Sequence, residues 1–285
     1  MIATVSEVQA CDGAANLGAT CRTLALSRST WYRVSNQPAW IDPDVDLRDQ
    51  IQRLSLKSSS GGYRRITEAL HRLGFNVNHK RVLRIMREDN LLWLRKHRFI
   101  NTTDSNHGLL IYPNLARDTK PTGINRLWVS DITYIRLQGE FIYLAVVLDV
   151  FSRRVIGWEL SRRIDTQLVV NALKMALKSR EVKSGLIHHS DRGVQYASKE
   201  YTDLLKEYGI TISMSRKGNP YDNAFAESFM KTLKYEEVYL SDYQNLTDAR
   251  RCVERFLNQI YNQERLHSRI GYVPPEEFEA SLVKQ

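Results

Sequence analysis

Three carboxylates have residue types and positions that could support catalysis. Asp131 lies in the middle of a run of β-branched and aromatic residues, Asp191 follows a short apolar run, and Glu227 lies where a capped helix is expected to start. A carboxylate in a strand is costly to bury unless a cation or a hydrogen-bond partner compensates its charge. We therefore expect these acids, carried by two strands and a helix, to meet around divalent ions.

Acids in this arrangement suit phosphodiester chemistry. That chemistry must stabilise the oxygen that attacks and the oxygen that leaves, and two divalent ions about 4 Å apart can do both in an in-line displacement. Mg²⁺ prefers carboxylate oxygen and usually takes only one or two protein ligands. We assign Asp131 as the ligand that bridges two Mg²⁺ ions, with Asp191 and Glu227 each completing one ion. Mn²⁺ is expected to be able to substitute.

Four stretches around the acids form a recognisable pattern. They are Trp128-Val129-Ser130-Asp131-Ile132-Thr133-Tyr134, Ser190-Asp191-Arg192-Gly193-Val194-Gln195-Tyr196, the block from Gly218 to Lys234, and Tyr261-Asn262-Gln263-Glu264-Arg265-Leu266-His267. On these residues the chain resembles the transposases of bacterial insertion sequences that share a retroviral-integrase-like catalytic core. It is most similar to the second reading-frame product of insertion-sequence family three, from about Gly61 to about Phe278. The resemblance implies a DDE-type enzyme that cuts and joins the DNA ends of its own element, with the same three acids binding metal.

The resemblance also implies partners. These are double-stranded DNA, as the terminal repeats of the element and as the target, and further copies of the chain on that DNA. In the family, the active enzyme is usually a fusion with an upstream product that supplies a further DNA-binding and coiled-coil segment. No leucine heptad is visible in this sequence, which fits the downstream half of such a fusion.

Two other functions remain open at this stage. One is a ribonuclease-H-type nuclease that cuts without joining, which a separate basic N-terminal unit disfavours. The other is a helix-turn-helix regulator whose core is inactive, which the intact acids Asp131, Asp191 and Glu227 disfavour. Strand-transfer products would separate a transposase from a nuclease.

Composition predicts a soluble, cytoplasmic protein, and the resemblance implies a bacterial one associated with the nucleoid. The 285 residues have an apolar share of 42% and a mean hydropathy of −0.41. The longest apolar run, residues 141–148, is too short to span a bilayer, and the start of the chain has no signal-peptide pattern. The three cysteines show no paired spacing, so we expect reduced thiols and no membrane association.

The net charge of +9 is concentrated at the front of the chain. Residues 1–120 contain 18 Lys and Arg against 11 Asp and Glu, while the remaining residues contain 23 against 21. A basic front on a nearly neutral core predicts contact with a polyanion, most simply nucleic acid. The alternative is a basic surface without a partner.

The front of the chain reads as helical. Residues 1–40 predict an N-terminal helical segment, in which Leu17-Gly18 looks like a helix stop and Ser27 like a helix cap. Residues 41–100 predict a helix-turn-helix DNA-binding domain, whose first helix starts at Asp42-Pro43. The apolar face of that helix carries Leu47, Ile51 and Leu54.

Two further helices form the helix-turn-helix candidate. One covers residues 63–73 and stops at Gly74, and the next is capped by Asn78, runs to about residue 89 and buries Val82, Ile85 and Met86. Its other face is basic and is predicted to contact DNA phosphates through Lys80, Arg81, Arg84 and Arg87. Residues 95–98 extend the basic surface. The alternative is a small helical bundle with a solvated basic face.

From residue 127 the pattern changes to that of strands. After a linker over residues 101–122, we expect a catalytic core over residues 123–240 and a C-terminal helical extension over residues 241–285. Strands are predicted at 127–136, 141–150, 153–160, 186–189 and 210–214, and helices at 166–179, 199–208 and after Asn223. This order predicts an α/β fold, a ribonuclease-H-like mixed sheet with helices on both faces. Helix 166–179 should bury Leu168, Ala172, Met175 and Ala176, Asn245 should cap a last helix, and Pro274-Pro275 should end regular structure.

Other polar residues near the acids have structural and functional interpretations. Asp149 is predicted to be a turn acid facing arginines. His188 and His189 point to opposite faces of a strand, so a core or supporting role is expected. Asn219, Tyr221 and Asn223 should shape the loop before Glu227.

Four basic residues could contact DNA. Lys231 and Lys234 share the helix face of Glu227 and could hold DNA phosphates, or Lys231 could form an ordinary surface pair with Glu227. Arg265 and His267 could contact DNA or could tie the last helix to the core.

Overall fold

The structure is a computed structural model, and it describes residues 17–35, 43–57, 61–92, 109–117, 119–216 and 220–283. Contacts divide the chain into two compact units, Met1–Gln50 and Ile51–Gln285. The predictions made for Asp42, residues 95–98, Gly218, Asn219 and the side chain of Tyr221 lie outside the described residues. None of the described helices is long and apolar enough to cross a membrane.

The front of the chain is helical, as predicted, with one correction. Helix α1 covers Leu17–Thr23 and helix α2 covers Arg28–Ser35. The hydroxyl of Ser27 accepts the N–H of Thr30 at 3.0 Å, which confirms its capping role. The predicted stop at Leu17-Gly18 is wrong, since Gly18 lies in the first turn of α1, where glycine can take helical angles.

The predicted helix-turn-helix pair is present. Helix α3 covers Val45–Lys57, α4 covers Tyr63–Arg72 and α5 covers His79–Glu88. After α4, Gly74 has the left-handed φ of 88° that a helix stop favours. The side chain of Asn78 accepts the N–H of Lys80 at 2.8 Å and so caps α5.

The core is built on a five-stranded mixed sheet, as the sequence predicted. The strands are β1 (Leu127–Arg136), β2 (Phe141–Asp149), β3 (Val155–Ser161), β4 (Ile187–Ser190) and β5 (Thr211–Met214). Their order is β3-β2-β1-β4-β5. The first three pair antiparallel, whereas β4 is parallel to both β1 and β5.

Helices cover both faces of the sheet. Helix α6 (Thr166–Ser179) packs on one face, together with the short α7 (Val194–Ala197) and α8 (Lys199–Glu207). Helices α9 (Ala224–Glu236) and α10 (Leu246–Arg255) pack on the other face. The close approach of α6 to β3 depends on Gly157, because a Cβ there would lie 2.2 Å from the carbonyl oxygen of Ala172.

One predicted core residue of α6 faces solvent. Met175 is 39% exposed, whereas Leu168, Ala172 and Ala176 are buried as predicted. The inward position belongs to Leu173, which is fully buried. The buried face of α6 is therefore centred closer to Leu173 than predicted. Met175 was predicted to be buried because its side chain is apolar.

The C-terminal extension continues past the predicted end of regular structure. Asn245 caps α10 as predicted, by accepting the N–H of Asp248 at 2.9 Å. The chain then forms a π-helix, Phe256–Glu264, and a final helix α11, Pro275–Val283. The prediction that Pro274-Pro275 ends regular structure is wrong, because proline is well suited to the first position of a helix and Pro275 starts one.

Candidate active site

Strand pairing brings Asp131 level with Asp191. The last parallel pair between β1 and β4 is Val129 with His189, and each aspartate follows two residues later along its strand direction. Neighbouring strands lie about 4.8 Å apart, so the two carboxylates occupy adjacent positions at the end of β4. Backbone amides orient them, since Asp131 accepts the N–H of Ile132 and Asp191 that of Gly193, both at 2.9 Å.

Glu227 approaches from α9, whose start is fixed by two contacts. Asp222 holds Arg216 through the backbone N–H at 2.9 Å and through the guanidinium at 3.0 and 3.1 Å. Asn223 is buried, and its amide nitrogen donates to the carbonyl oxygen of Ser130 at 3.2 Å. These contacts connect the loop before α9 to β1, one residue before Asp131. The shaping role expected of Asn223 is supported, whereas the part of Arg216 and Asp222 was missed.

The two histidines before Asp191 are structural, as predicted. His188 lies 2.8 Å from the hydroxyl of Ser130 on β1, and His189 lies 2.8 and 3.0 Å from the hydroxyls of Ser213 and Ser215. Burial lowers the pKa of His188 to about 3 and that of His189 to about 4. Neutral histidines therefore join β4 to its neighbours and hold Asp191 in place.

The electrostatics of Asp131 indicate a site with too much negative charge. Burial, the charge of Asp191 and the charge of Glu227 together raise the pKa of Asp131 to about 8, against the hydrogen bond from Ile132. Within the described ranges, no three His, Cys, Asp or Glu side chains converge closely enough to enclose a metal ion. The three acids are thus electrostatic neighbours, not a closed metal cage.

The residues present nevertheless fit a divalent ion. Carboxylate oxygens are the donors that Mg²⁺ and Mn²⁺ prefer, and a cation would relieve the repulsion that raises the pKa of Asp131. Two buried polar atoms nearby, Oδ1 of Asn223 and the hydroxyl of Tyr196, have no hydrogen-bond partner among the residues that the structure describes. Burial raises the pKa of Tyr196 well above its usual value, and the charges of Tyr201, Asp191 and Asp131 raise it further.

The two lysines on the Glu227 face of α9 differ in environment. Lys234 is half-buried, with its ammonium 4.3 Å from the ring centroid of Tyr134 on β1. Burial lowers the pKa of Lys234, and the negative charge of Asp131 opposes this effect. Lys231 is exposed and lies 3.9 Å from the carboxylate of Glu227, which is the geometry of the predicted surface pair.

Asp149 has a structural role, but its partners differ from the prediction. Its carboxylate accepts the backbone N–H groups of Asn125, Phe151 and Ser152 at 2.7, 2.9 and 3.1 Å. Backbone amides, not arginines, therefore bond its carboxylate. Burial raises the pKa of Asp149, while the hydrogen bonds from these amides oppose the rise.

The Tyr261–His267 stretch ties the last helices to the core. Arg265 donates to both oxygens of Glu236 at 2.8 and 2.9 Å, and Arg65 of α4 lies 3.4 Å from the same carboxylate. Asn262 pairs with the backbone of Val155 through both its oxygen and its nitrogen, at 3.0 and 2.9 Å. These contacts support the tying role that was left open.

The burial of Arg265 and the neutral state of His267 favour the tying role over contact with DNA. The Arg265 side chain is 10% exposed, and its charge is used by Glu236. Burial and the positive charge of Arg265 lower the pKa of His267 to about 2, so His267 is neutral. Neither side chain is free to offer a positive charge to DNA.

The basic face of α5 is exposed. Lys80, Arg81, Arg84 and Arg87 all face solvent, and α5 has no acid in its first turn. Arg84 is bridged to Glu88 at 2.8 Å, so part of its charge is compensated within the helix. The geometry permits the predicted phosphate contacts.

Family models match most of the chain. The model described as an integrase core domain matches residues 121–220, and a second integrase core model matches residues 208–275. A model described as an HTH-like domain matches residues 43–99. The integrase core matches span all three acids.

Individual relatives cover nearly the whole chain. The uncharacterized 31 kDa protein of insertion element IS600 from Shigella sonnei is 36% identical over 90% of this chain and 96% of its own length. The transposase InsF of insertion sequence IS3A from Escherichia coli K12 is 36% identical over 93% and 94%. Among solved structures, the simian T-cell lymphotropic virus intasome has a chain with 19% identity and a TM-score of 0.47, covering 81% of this chain and 74% of that one.

Proposed function

Because the chain belongs to the family of bacterial insertion-sequence transposases with an integrase core, we propose that Asp131, Asp191 and Glu227 carry its phosphodiester chemistry. The protein is a DDE transposase that cleaves and joins DNA at the ends of an insertion sequence. The assignment of its three catalytic residues rests on one observation. The negative charges of Asp191 and Glu227 both raise the pKa of the partly buried Asp131, which indicates that the three acids share one site.

The proposed roles follow from how each carboxylate is held. The hydrogen bond from Ile132 uses Oδ1 of Asp131, which leaves its other oxygen for metal. Asp191 is kept beside it by the neutral histidines of β4, and Glu227 is delivered by the anchored start of α9. Two divalent ions bound by these acids would stabilise the attacking and leaving oxygens of the reaction. We expect Mg²⁺ as the ion, with Mn²⁺ able to substitute.

DNA contacts are proposed at two surfaces, one on α5 and one on α9 beside the catalytic acids. The HTH-like and integrase domains make this a DNA-binding protein. We assign phosphate contacts to the exposed face of α5, through Lys80, Arg81, Arg84 and Arg87, and to Lys231 and Lys234 on α9. Phosphate contacts fix position and supply most of the affinity, whereas base reading requires side chains in a groove.

The finer proposals concern partners and place of action. We propose that the DNA comprises the terminal repeats of the element and a target, and that several copies of the chain assemble on it. An upstream reading-frame product is proposed to act with the chain or to be fused to it. Action at the nucleoid in the bacterial cytoplasm fits a DNA substrate and cysteines that form no paired motif.

A strand-transfer assay tests the function. A labelled duplex that ends in the terminal repeat of the element is incubated with supercoiled plasmid, Mg²⁺ and the protein. We expect labelled end joined to plasmid, and no product with the Asp131→Asn protein as a control for contaminating enzymes. Cut duplex without joined product would indicate a nuclease, and binding without cutting would indicate a regulator.

A further inference from the structure

A large cleft lies beside the catalytic face. Its volume is about 840 Å³, and it is lined by the start of α4, by α9 and by residues 261–272. The α9 residues that line it are Phe225, Ser228, Phe229 and Thr232, with Ala224 at the helix start. None of the three catalytic acids lines it, so this is a different side of the same helix.

The cleft is rich in arginine. Five arginines line it, Arg64, Arg65, Arg153, Arg265 and Arg269, and the one lining acid is Asp149. The carboxylate of Asp149 is used by backbone N–H groups, and Glu236 compensates Arg65 and Arg265. Arg64, Arg153 and Arg269 have no acid at ion-pair distance among the residues that the structure describes. We call this site, defined by these three residues, the arginine cleft.

Two of these arginines meet at one aromatic ring. The guanidinium carbon of Arg153 lies 4.5 Å from the ring centroid of Phe225, and that of Arg269 lies 5.9 Å from the same centroid. Burial lowers the pKa of Arg153, and the charge of Arg269 lowers it further. The ring attracts each cation, but it carries no net charge and so does not neutralise the pair.

The backbone of Arg153 adds an independent indication. Its φ is +67°, the left-handed region that a residue with a Cβ adopts at a cost and that often occurs at functional sites. The N–H of Arg153 donates to the carbonyl oxygen of Asp149 at 2.9 Å, which holds the turn. Glycine would adopt this conformation more easily, yet the chain places a long cationic side chain here.

We propose that the arginine cleft binds a phosphodiester group of DNA, with Arg153 and Arg269 as the contacting residues and Arg64 at the rim. The guanidinium group forms paired hydrogen bonds with phosphate oxygens, and one phosphate would remove the repulsion between two converging arginines. Helix α4, which is ten residues long and has no acid in its first turn, begins at the same cleft. Its positive end favours an anion. The proposal rests on the proposed function, because it deepens the assignment of DNA as partner.

The phosphate could belong to the element end or to the target. Both sources offer the same group, so the experiment has one arm for each. An acidic protein segment is a different ligand. If the cleft bound such a segment, the cleft variant should bind both duplexes as the control protein does.

The test compares two doubly neutralised proteins. Arg153→Gln with Arg269→Gln removes the two contacts, while Lys178→Gln with Arg251→Gln removes two exposed charges outside the cleft as a matched control. Binding of a fluorescein-labelled terminal-repeat duplex and of an unrelated target duplex is measured by anisotropy at several salt concentrations, without divalent metal. Because no chemistry occurs, failure here is distinguishable from failure of the strand-transfer assay.

The expected result is a loss of salt dependence on one duplex. Each lost phosphate contact reduces the log–log slope by about 0.9, so the cleft variant, which loses the one phosphate held by both arginines, should lose about 0.9 relative to the wild type. The duplex affected identifies the source. Slopes equal to those of the control protein on both duplexes would overturn the proposal. Should the double variant melt early, Arg269→Gln alone, at an exposed position, should still lower the slope below that of the control, by at most about 0.9.

Discussion

The two sides of helix α9 treat buried charge in opposite ways. On one side, Glu227 and its neighbours leave Asp131 with a pKa raised to about 8, mainly by burial and then by Asp191. On the other side, the carboxylate of Glu236 is 11% exposed and is held by two arginines, Arg265 at 2.8 Å and Arg65 at 3.4 Å. The same helix thus carries Glu236, whose charge two arginines compensate, and Glu227, whose charge raises the pKa of another acid.

The difference shows where the molecule relies on ligands. A buried charge without a partner is costly, so a fold retains one where an outside group supplies the opposite charge. The acids of β1, β4 and α9 would be completed by divalent cations. The arginine cleft shows the reverse sign and would be completed by phosphate.

The largest expected effect is at the three acids proposed to be catalytic. Asp131→Asn, Asp191→Asn and Glu227→Gln should each reduce cleavage and joining by at least about 100-fold, since several kcal/mol of metal-dependent stabilisation is lost. Binding to the terminal duplex should persist. Near-normal strand transfer by any one of these proteins in Mg²⁺ would remove that residue from the catalytic set.

The dependence of stability on pH should also differ between the wild type and Asp131→Asn. The folded-state pKa of Asp131 lies above its ordinary value of 3.8, at about 8, so between these values the folded protein binds more protons than the unfolded chain. Metal-free wild type should therefore lose stability as pH rises from about 4 to 8. Asp131→Asn should lack this loss and melt higher at pH 7, and Mg²⁺ should raise the melting temperature of the wild type more than that of the variant. Equal pH profiles would mean that Asp131 carries no such penalty.

On the side of α9 that carries Glu236, a substitution should reduce the stability of the folded protein. Glu236→Gln leaves Arg65 and Arg265 without their shared acid, and breaking a buried pair in this way costs about 3–5 kcal/mol. Glu88→Gln is the matched control, because its pair with Arg84 is exposed and is worth about 0.3–0.5 kcal/mol. Urea unfolding measures both, and equal losses would show that burial makes no difference here.

The parts of the fold that follow from local pattern could be predicted from the sequence. Strand β1 and helix α6 have the predicted bounds, Leu127–Arg136 and Thr166–Ser179, because alternation and helical spacing are written in neighbouring residues. Met175 shows the limit. Residues three and four positions apart can lie on the same face of a helix, so the sequence pattern alone allows Met175 to be buried. The packing of α6 against β3 determines which side chains are buried.

Contacts between distant residues could not be predicted. Arg65 and Glu236 are 171 residues apart, and no local pattern pairs them. The clamp of Arg216 on Asp222 was missed for another reason, since a loop acid has many uses in turns. The family resemblance identified the three acids, but the burial that raises the pKa of Asp131 depends on the packed structure.

A smaller effect is expected for charges that water already screens. Replacing Lys80, Arg84 and Arg87 on α5 by alanine should weaken binding to the terminal duplex and reduce the log–log salt slope by about 0.9 per lost contact. Arg84 should contribute least to the reduction of the salt slope, since it forms a salt bridge with Glu88. Anisotropy titrations over a salt series measure the slope, and an unchanged slope would show that this face does not touch DNA.

The smallest difference in stability is expected between the Lys231→Ala and Lys234→Ala proteins. The comparison distinguishes a lysine in a surface ion pair from a half-buried lysine. Lys231 is exposed and 3.9 Å from Glu227, so Lys231→Ala should cost about 0.2–0.5 kcal/mol.

Lys234 is half-buried over the ring of Tyr134 and is affected by the charge of Asp131. Lys234→Ala should therefore reduce strand transfer steeply at an almost unchanged melting temperature, because it removes the cation that we propose to hold DNA phosphate beside the acids. Joining rates and melting curves for the two alanine proteins, measured at physiological salt, decide the matter. Wild-type joining by Lys234→Ala would reduce Lys234 to packing on Tyr134, and an equal loss in both proteins would mean that the whole face contacts DNA.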